Sequence, residues 1–410
     1  MIVDYFRLLQ QSPRVLILGL SYAFFSSFGQ TFFISLSVPH ILQEFGYSNA
    51  QWGTLYSGVN VLSALCLPVL GAKLDRTPLQ LFTTRVIIGL CLATALMAFG
   101  NNLVLLALAL GGLRLTGQGL LSLMATATMA RLFDRQRGKA LSIATMGFPL
   151  GESLLPPLTI LLIDGAGWRV TWGVAAALTL LIVLPLTRSL SRGLQTTPDH
   201  GPNHTTSSDD HWNRRRVLGH WRFYTVLPTY ISPGFFATGL ILYQFSLADE
   251  KGWSHAYMAG SFVSFGLSRM VFAFLIGPLI DRFTARSLFS LQLLPLATGM
   301  ALMSVSNHSM IPFLYNGLIG ISLGIGSSTS SALWAELYGT KHLGAIKSLM
   351  STIGIFFTAL SPILVGSLID SGILFANQLM AYAIVVLAFG ILSAVGCRLG
   401  RSAKSIPPVE

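Results

Sequence analysis

Negative charge is scarce in this chain. Its 410 residues hold 15 Asp and Glu against 26 Lys and Arg, and charged residues of both signs make up only 10%. A soluble domain carries about a quarter, so a water-exposed globule of this length is excluded and most of the chain must sit in lipid. Cysteine is scarcer still. Cys66, Cys91 and Cys397 all fall inside apolar runs, without paired or metal-ligand spacing, which excludes a disulfide framework and a zinc site. Also missing are a nucleotide-phosphate loop, a dinucleotide fingerprint and an HExxH helix, so ATP-driven transport and metalloenzyme chemistry have no support. Neither a cofactor nor an enzymatic activity is expected.

What is present is apolar. Hydrophobic residues are 52% of the chain and the mean hydropathy is +0.66. A helix needs ~20 apolar residues to cross ~30 Å of hydrocarbon. Runs of that kind lie at 14–40, 51–73, 79–99, 103–130, 138–163, 169–188, 222–247, 254–280, 286–306, 309–335, 344–368 and 374–397. The chain is therefore expected to be an all-α integral membrane protein with twelve spans. With the N-terminus inside, only Arg169 and Lys251 among the bases face outward, and only Arg114 and Arg269 lie within spans. The positive-inside rule then places both termini in the cytoplasm. The net charge of +11 reads as loops facing anionic lipid, with no nucleic-acid partner.

The chain also repeats itself. Gly71, Asp75 and Arg76 in GAKLDR return as Gly277, Asp281 and Arg282 in GPLIDR; Gly138 returns as Gly344 and Asp164 as Asp370. Every pair is 206 positions apart, as from Gly71 to Gly277, which marks a duplicated membrane unit. Parallel halves about a central axis are a transporter architecture with the substrate between them. The expected organisation is a six-helix bundle over 1–189, a cytoplasmic linker over 190–221, a second six-helix bundle over 222–398 and a tail over 399–410. The linker is rich in Ser, Thr, Pro and His, and its basic end HWNRRRVLGHW reads as ordinary positive-inside charge or as a short surface-lying piece. The first run is too long for a signal peptide and lacks a cleavage site, so it is taken as the first span.

With these residues in view, the chain resembles the major facilitator superfamily over essentially its whole length. Members carry G-x-x-x-D-R/K-x-G after the second and eighth helices; here the later glycine is Pro78 in one copy and Thr284 in the other. The resemblance implies a gating role for Asp75, Arg76, Asp281 and Arg282, beside the plainer role of fixing orientation and a turn. Within the superfamily, residues 114–158 and 335–348 look most like the bacterial monocarboxylate and oxalate/formate transporters. Arg269 stands where that group carries its substrate-anion arginine, whereas the eleventh run offers only Lys347 near its start.

Three ionisable residues lie deep in spans: Arg114, Glu152 and Arg269. A charge there costs roughly 2.5–3.5 kcal/mol on insertion scales, so each needs a partner or a wet cavity. The turn between the fourth and fifth runs centres near Phe133, which puts Arg114 and Glu152 at equal depth. They can form a proton-coupling pair or a static structural one. Arg269 lies 12 residues, or ~18 Å of helix, before Asp281, near the midplane. Its planar donors suit a carboxylate, which makes it the first substrate-binding candidate, beside snorkelling or backbone bonding as alternatives. Tyr56, Asn60 and Tyr230 join it because the second and seventh helices border the cavity in the superfamily resembled. Gly112, Gly117 and Gly119, with Gly317, Gly320, Gly324 and Gly326, permit close helix approach.

The expectation is a secondary active transporter of a small organic anion, a monocarboxylate, coupled to protons by alternating access. It would work as a monomer in a bacterial inner membrane. A drug or siderophore-type exporter of the same fold is the first alternative, and a non-transporting receptor or scaffold the second.

Overall fold

The computed structural model describes residues 2–133, 136–194, 214–339 and 343–398. Among these every regular element is helical, and twelve helices are long and apolar enough to cross a membrane. They are α1 (Pro13–Ser35), α2 (Asn49–Leu74), α3 (Leu79–Phe99), α4 (Leu103–Leu132), α5 (Arg137–Ala166), α6 (Trp168–Ser191), α7 (Trp221–Leu242), α8 (His255–Ile280), α9 (Ala285–Val305), α10 (Ile311–Tyr338), α11 (Ile346–Asp370) and α12 (Phe375–Cys397). Backbone donors and acceptors have no water to bond in hydrocarbon, so each span closes its own hydrogen bonds as a helix. Residues 195–213 of the expected linker and the tail over 399–410 lie outside the described residues.

Two expected spans stop earlier than their apolar runs do. The first was expected to reach residue 40, yet α1 ends at Ser35. A turn at Leu36–Ser37 separates it from a short helix, Val38–Phe45, with Pro39 in its first turn, where proline is tolerated. The seventh was expected to reach 247, yet α7 ends at Leu242. Tyr243, at φ −106° and ψ 20°, starts a separate helix, Gln244–Lys251.

The described residues form two compact units. Among the described residues, one contains 2–133, 136–194, 239–266 and 362–372; the other contains 214–238, 267–339, 343–361 and 373–398.

In the first unit, α1 is interrupted. Ser26–Gly29 tighten into a 3₁₀ turn and Gln30 is extended (φ −82°, ψ 152°) before the helix resumes at Thr31. Beside the break, α4 widens into a π-helical stretch over Leu113–Leu121. The two backbones touch there: a Cβ on Gly117 would lie 2.8 Å from Gly29 Cα, and a Cβ on Gly29 would lie 2.6 Å from the Gln118 nitrogen. Only glycine fits at both positions. At one end of this unit Glu44 takes hydrogen bonds from Arg169 Nε (3.0 Å), Arg169 Nη2 (2.6 Å) and Trp168 Nε1 (3.0 Å). At the same end the α2 start is a capping box, with Ser48 Oγ accepting from Gln51 N and Gln51 Oε1 from Ser48 N.

The second unit is organised by α9 packed on α12 and α10. Its buried cluster includes Val217, Phe223, Phe289, Leu333, Trp334 and Met350. Thr229 Oγ1 donates to the Phe389 carbonyl at 3.0 Å, tying α7 to α12.

Candidate substrate and coupling sites

Arg114 is 4% exposed, on the widened stretch of α4. Its Nε and Nη2 both donate to Asn60 Oδ1, at 3.0 and 2.8 Å. Its Nη1 donates to the Gly29 carbonyl at 3.2 Å and to Thr31 Oγ1 at 3.3 Å. The α1 break explains the second set. A helix interruption leaves carbonyls without i+4 donors, and a guanidinium satisfies one of them in place of water. Tyr56 completes the group: its hydroxyl donates to Thr31 Oγ1 at 2.9 Å, and its ring lies 5.2 Å from the guanidinium carbon. Three residues singled out in the sequence for different roles, Arg114, Asn60 and Tyr56, therefore form one cluster around the broken α1. The hydrogen-bond partners of Arg114 in it are all neutral.

Glu152 is 6% exposed on α5. The guanidinium of Arg114 points its four hydrogen bonds at Asn60, Gly29 and Thr31, not at this carboxylate. Equal depth fixed the level of the two residues, while the facing angle, set by the α1 break, turned Arg114 toward α2. The neighbours of Glu152 in sequence are both packing points. Gly151 abuts the Ser27 hydroxyl on the 3₁₀ turn of α1, and Ser153 abuts Gly266 on α8. Glu152 is thus held between two close helix contacts of the first unit.

Tyr230 lies in the second unit, on the wall of a cavity of about 360 Å³. The wall also carries Ser327, Ser330, Trp334, Lys347 and Met350. Trp334 is 1% exposed, and its indole Nε1 is buried with no hydrogen-bond partner. Tyr230 meets the Trp334 ring edge-on at 5.6 Å. Ser327 Oγ donates to the Gly324 carbonyl at 2.8 Å. Among the described residues lining this cavity there is a lysine, an indole N–H and three hydroxyls, but no carboxylate. Lys347 and the two serines were not among the site residues drawn from sequence, whereas Trp334 stands out there as one of the aromatic residues within apolar helices that could line a cavity. Lys347 was visible only as the one base at the start of the eleventh run.

Arg269 is half-buried on α8. Its backbone runs close to α10, since a Cβ on Gly324 would sit 2.8 Å from the Arg269 carbonyl oxygen. One position earlier, Ser268 Oγ donates to the Gly317 carbonyl at 2.7 Å. The glycines of α10 thus serve the close approach read from the sequence.

Of the four motif residues, the side chains of Asp75 and Asp281 lie outside the described residues. Arg76 is exposed after the 3₁₀ turn Ala72–Asp75. Arg282 is exposed with its guanidinium carbon 5.2 Å from the Phe283 ring. The position where the motif's later glycine is replaced has a backbone only glycine adopts freely: Thr284 sits at φ 68°, ψ 152°. Among the described residues it is the one non-glycine with positive φ. Glu336 of α10 holds this turn. Its carboxylate accepts from Ala285 N at 2.7 Å and Arg286 N at 3.2 Å, and Arg286 Nη2 donates to the Glu336 carbonyl.

Comparison with known proteins agrees with this architecture. The family model of the Major Facilitator Superfamily matches residues 20–266, and that of sugar and other transporters matches residues 199–397. No curated protein matches the sequence. Among solved structures, a bacterial homologue of the human lysosomal transporter Spinster, inward-facing and occupied, superposes with a TM-score of 0.73 at 16% identity, covering 97% of this chain and 99% of that one. The same homologue in its inward-facing, unoccupied form gives 0.72 at 15% identity, covering 96% and 98%. The nucleoside transporter NupG gives 0.68 at 12% identity, covering 95% and 99%. At such identities the likeness is one of fold. With more than half of the chain matched by the family model and twelve spans in place, the chain belongs to the major facilitator superfamily and is a multi-pass integral membrane transport protein.

Proposed function

We propose that this transporter carries a small organic anion, of the monocarboxylate class, together with protons, by alternating access in a bacterial inner membrane and as a monomer. The observation that carries the reading is the cavity around Tyr230. Among the described residues its lining carries one charged group, the Lys347 ammonium, with the hydroxyls of Tyr230, Ser327 and Ser330 and no carboxylate, a set that favours an anion over a cation. Arg114 supports the same sign of substrate, since its buried charge has only neutral hydrogen-bond partners around Tyr56 and Asn60. Arg269 is the further anion contact in this reading, and Asp75, Arg76, Asp281 and Arg282 act in gating.

Glu152 is the proton carrier in this account. Its burial on α5, between residues packed on α1 and α8, supports that role. The test is uptake by purified protein in liposomes of labelled lactate, pyruvate, formate, oxalate, acetate and one neutral amino acid, with and without an inward proton gradient. Gradient-stimulated uptake of one acid, lost in Arg269→Ala, supports the reading. Glu152→Gln should abolish gradient-driven accumulation while leaving counterflow exchange. Absence of uptake of every acid by folded protein would favour an exporter instead.

A further inference from the structure

In the first unit, the start of α2 meets the last turns of α11 at the end of α1 remote from the N-terminus. The two backbones are in contact there: a Cβ on Gly53 would run into the Pro362 carbonyl, and one on Gly366 would lie 2.5 Å from the Asn49 carbonyl oxygen. Helices that close leave no passage between them. The Asp370 carboxylate spans the same junction, accepting from the Asn49 and Ala50 N–H groups and from Asn49 Nδ2. Beside it the Tyr243 hydroxyl lies within hydrogen-bonding distance of the Asn49 and Pro362 carbonyls. Asp370 is exposed, so water can replace the donors it holds, and exchanging protein for water partners changes the free energy little. The junction has a fastening that can be undone.

The repeat supplies a counterpart for comparison. At the spacing of 206, Ser48 returns as Ser254, Asn49 as His255, and Asp164 as Asp370. The two serines do the same work, since Ser48 Oγ accepts from Gln51 N and Ser254 Oγ from Tyr257 N, each at a helix start. The two carboxylates do not. Asp164, near the end of α5, is exposed, and His255, in the place of Asn49, pairs its ring with Asp249 at 2.9 Å and stacks it on Phe245 at 4.3 Å. Further along α8, Gly266 still abuts Ser153 of α5. One copy of the junction is thus fastened by its carboxylate and the other by packing. Alternating access, on which this inference rests as the mechanism of the transport reading above, requires each end to close and open in turn. We propose that Asp370 is the latch of this end: its hydrogen bonds to the start of α2 hold the end shut, and their exchange for water lets it open. The latch acts on one side of the pseudo-symmetric pair and sets the balance between the two access states without touching substrate.

The test uses the full-length chain in detergent without substrate, so its outcome stands apart from the identity of the transported acid. In a background of Cys66→Ala, Cys91→Ala and Cys397→Ala, spin labels at Gln43→Cys and Ile373→Cys follow the latched end, and labels at Lys73→Cys and Ser348→Cys follow the opposite end. All four positions are exposed. Distance distributions are compared between the parent and its variants. Asp370→Ala should raise the population with the first pair apart and the second pair together about fivefold, the worth of one lost helix cap. Asp370→Asn, which keeps one acceptor oxygen, should fall between, and Tyr243→Phe should shift the population in the same direction. Asp164→Ala should leave it unchanged. Unchanged distances in both Asp370 variants would overturn the proposal. Separation of the first pair with no approach of the second would also overturn it, because that is fraying of a helix start. A shift in Asp164→Ala equal to that in Asp370→Ala would contradict a one-sided latch. Failure of acid uptake by protein whose distances respond as expected would count against the transport reading alone.

Discussion

The carboxylate of Asp370, at the end of α11, accepts hydrogen bonds from the backbone N–H groups of Asn49 and Ala50 at the start of α2, at 3.1 and 2.7 Å. Asn49 Nδ2 adds a third at 3.0 Å. The first turn of a helix has unpaired donors and a partial positive charge, so a carboxylate there acts as cap and counter-charge together. The same junction is closed by Tyr243, whose hydroxyl contacts the carbonyls of Asn49 (2.7 Å) and Pro362 (3.1 Å), and by Gln244 Nε2 donating to Ser35 Oγ at 2.9 Å. Asp370 is one of the residues that recur at the repeat spacing, its counterpart being Asp164. The helix start it caps lies more than 300 residues away in the sequence.

Asp370→Ala should therefore loosen this junction. Losing a cap costs roughly 0.5–2 kcal/mol, and the measurement is the midpoint of thermal unfolding in detergent. Asp370→Asn should fall between the two, because an amide oxygen still accepts. An unchanged midpoint in Asp370→Ala would show that the carboxylate contributes nothing there.

Asn60 spends one oxygen on two donors of Arg114. Removing it in Asn60→Ala leaves a buried guanidinium partly unsatisfied, at a cost of about 1–3 kcal/mol, so the unfolding midpoint should drop clearly. Asn60→Asp keeps the acceptor but supplies a fixed negative charge. It should fold and bind the transported anion more weakly, which substrate-dependent thermal stabilisation would report. Arg114→Lys should not rescue, because an ammonium cannot reproduce the fork that spans Asn60, Gly29 and Thr31.

Glu44 provides a pH test outside the spans. Hydrogen bonding to Arg169, then the Arg169 charge and the Trp168 indole, hold its carboxyl below the ordinary value of 4.5 against a smaller opposing effect of burial. A depressed carboxyl contributes stability that is present above its unfolded value and lost as pH falls through the folded one. The pair is partly exposed, so its worth is at most about 1 kcal/mol. Glu44→Gln should lower the unfolding midpoint at pH 7 and make no difference once the acid limb is passed. A difference of equal size at neutral and acid pH would rule out the titration of Glu44 as its cause.

Thr284 stands where related motifs place glycine, in a conformation that costs a side chain roughly 1–3 kcal/mol. Thr284→Gly should release that strain, less the ~0.4–1 kcal/mol that glycine's freedom in the unfolded chain takes back. The thermal midpoint should rise. A fall would mean that the Thr284 hydroxyl contact to Ser287 outweighs the backbone strain.

The spans were legible because hydrocarbon imposes length and composition together; α3 was read at 79–99, the bounds it has. The places where the reading overran, after Ser35 and after Leu242, are turns within apolar sequence, where hydropathy does not change and only backbone angles do. The α1 break at Ser26–Gln30 was hidden for the same reason. That break decided the partners of Arg114: depth along a helix follows from residue number, but rotation about the axis changes when a neighbour unwinds or widens. Gly117 had been read as a point of close approach, and Gly29, its partner, supplies the contact. Trp334 and Lys347 had no shared motif, since they come together only through the packing of α10 against α11.

The central claim, an anion held in the donor-lined cavity of the second unit, is tested most directly by titrating the transported acid into purified protein and into Lys347→Gln, following Trp334 fluorescence. The account predicts saturable binding by the parent and an affinity about tenfold lower or worse in the variant, the worth of one charge-assisted hydrogen bond. Equal affinity in the two proteins, with Lys347→Gln shown to be folded, would contradict it.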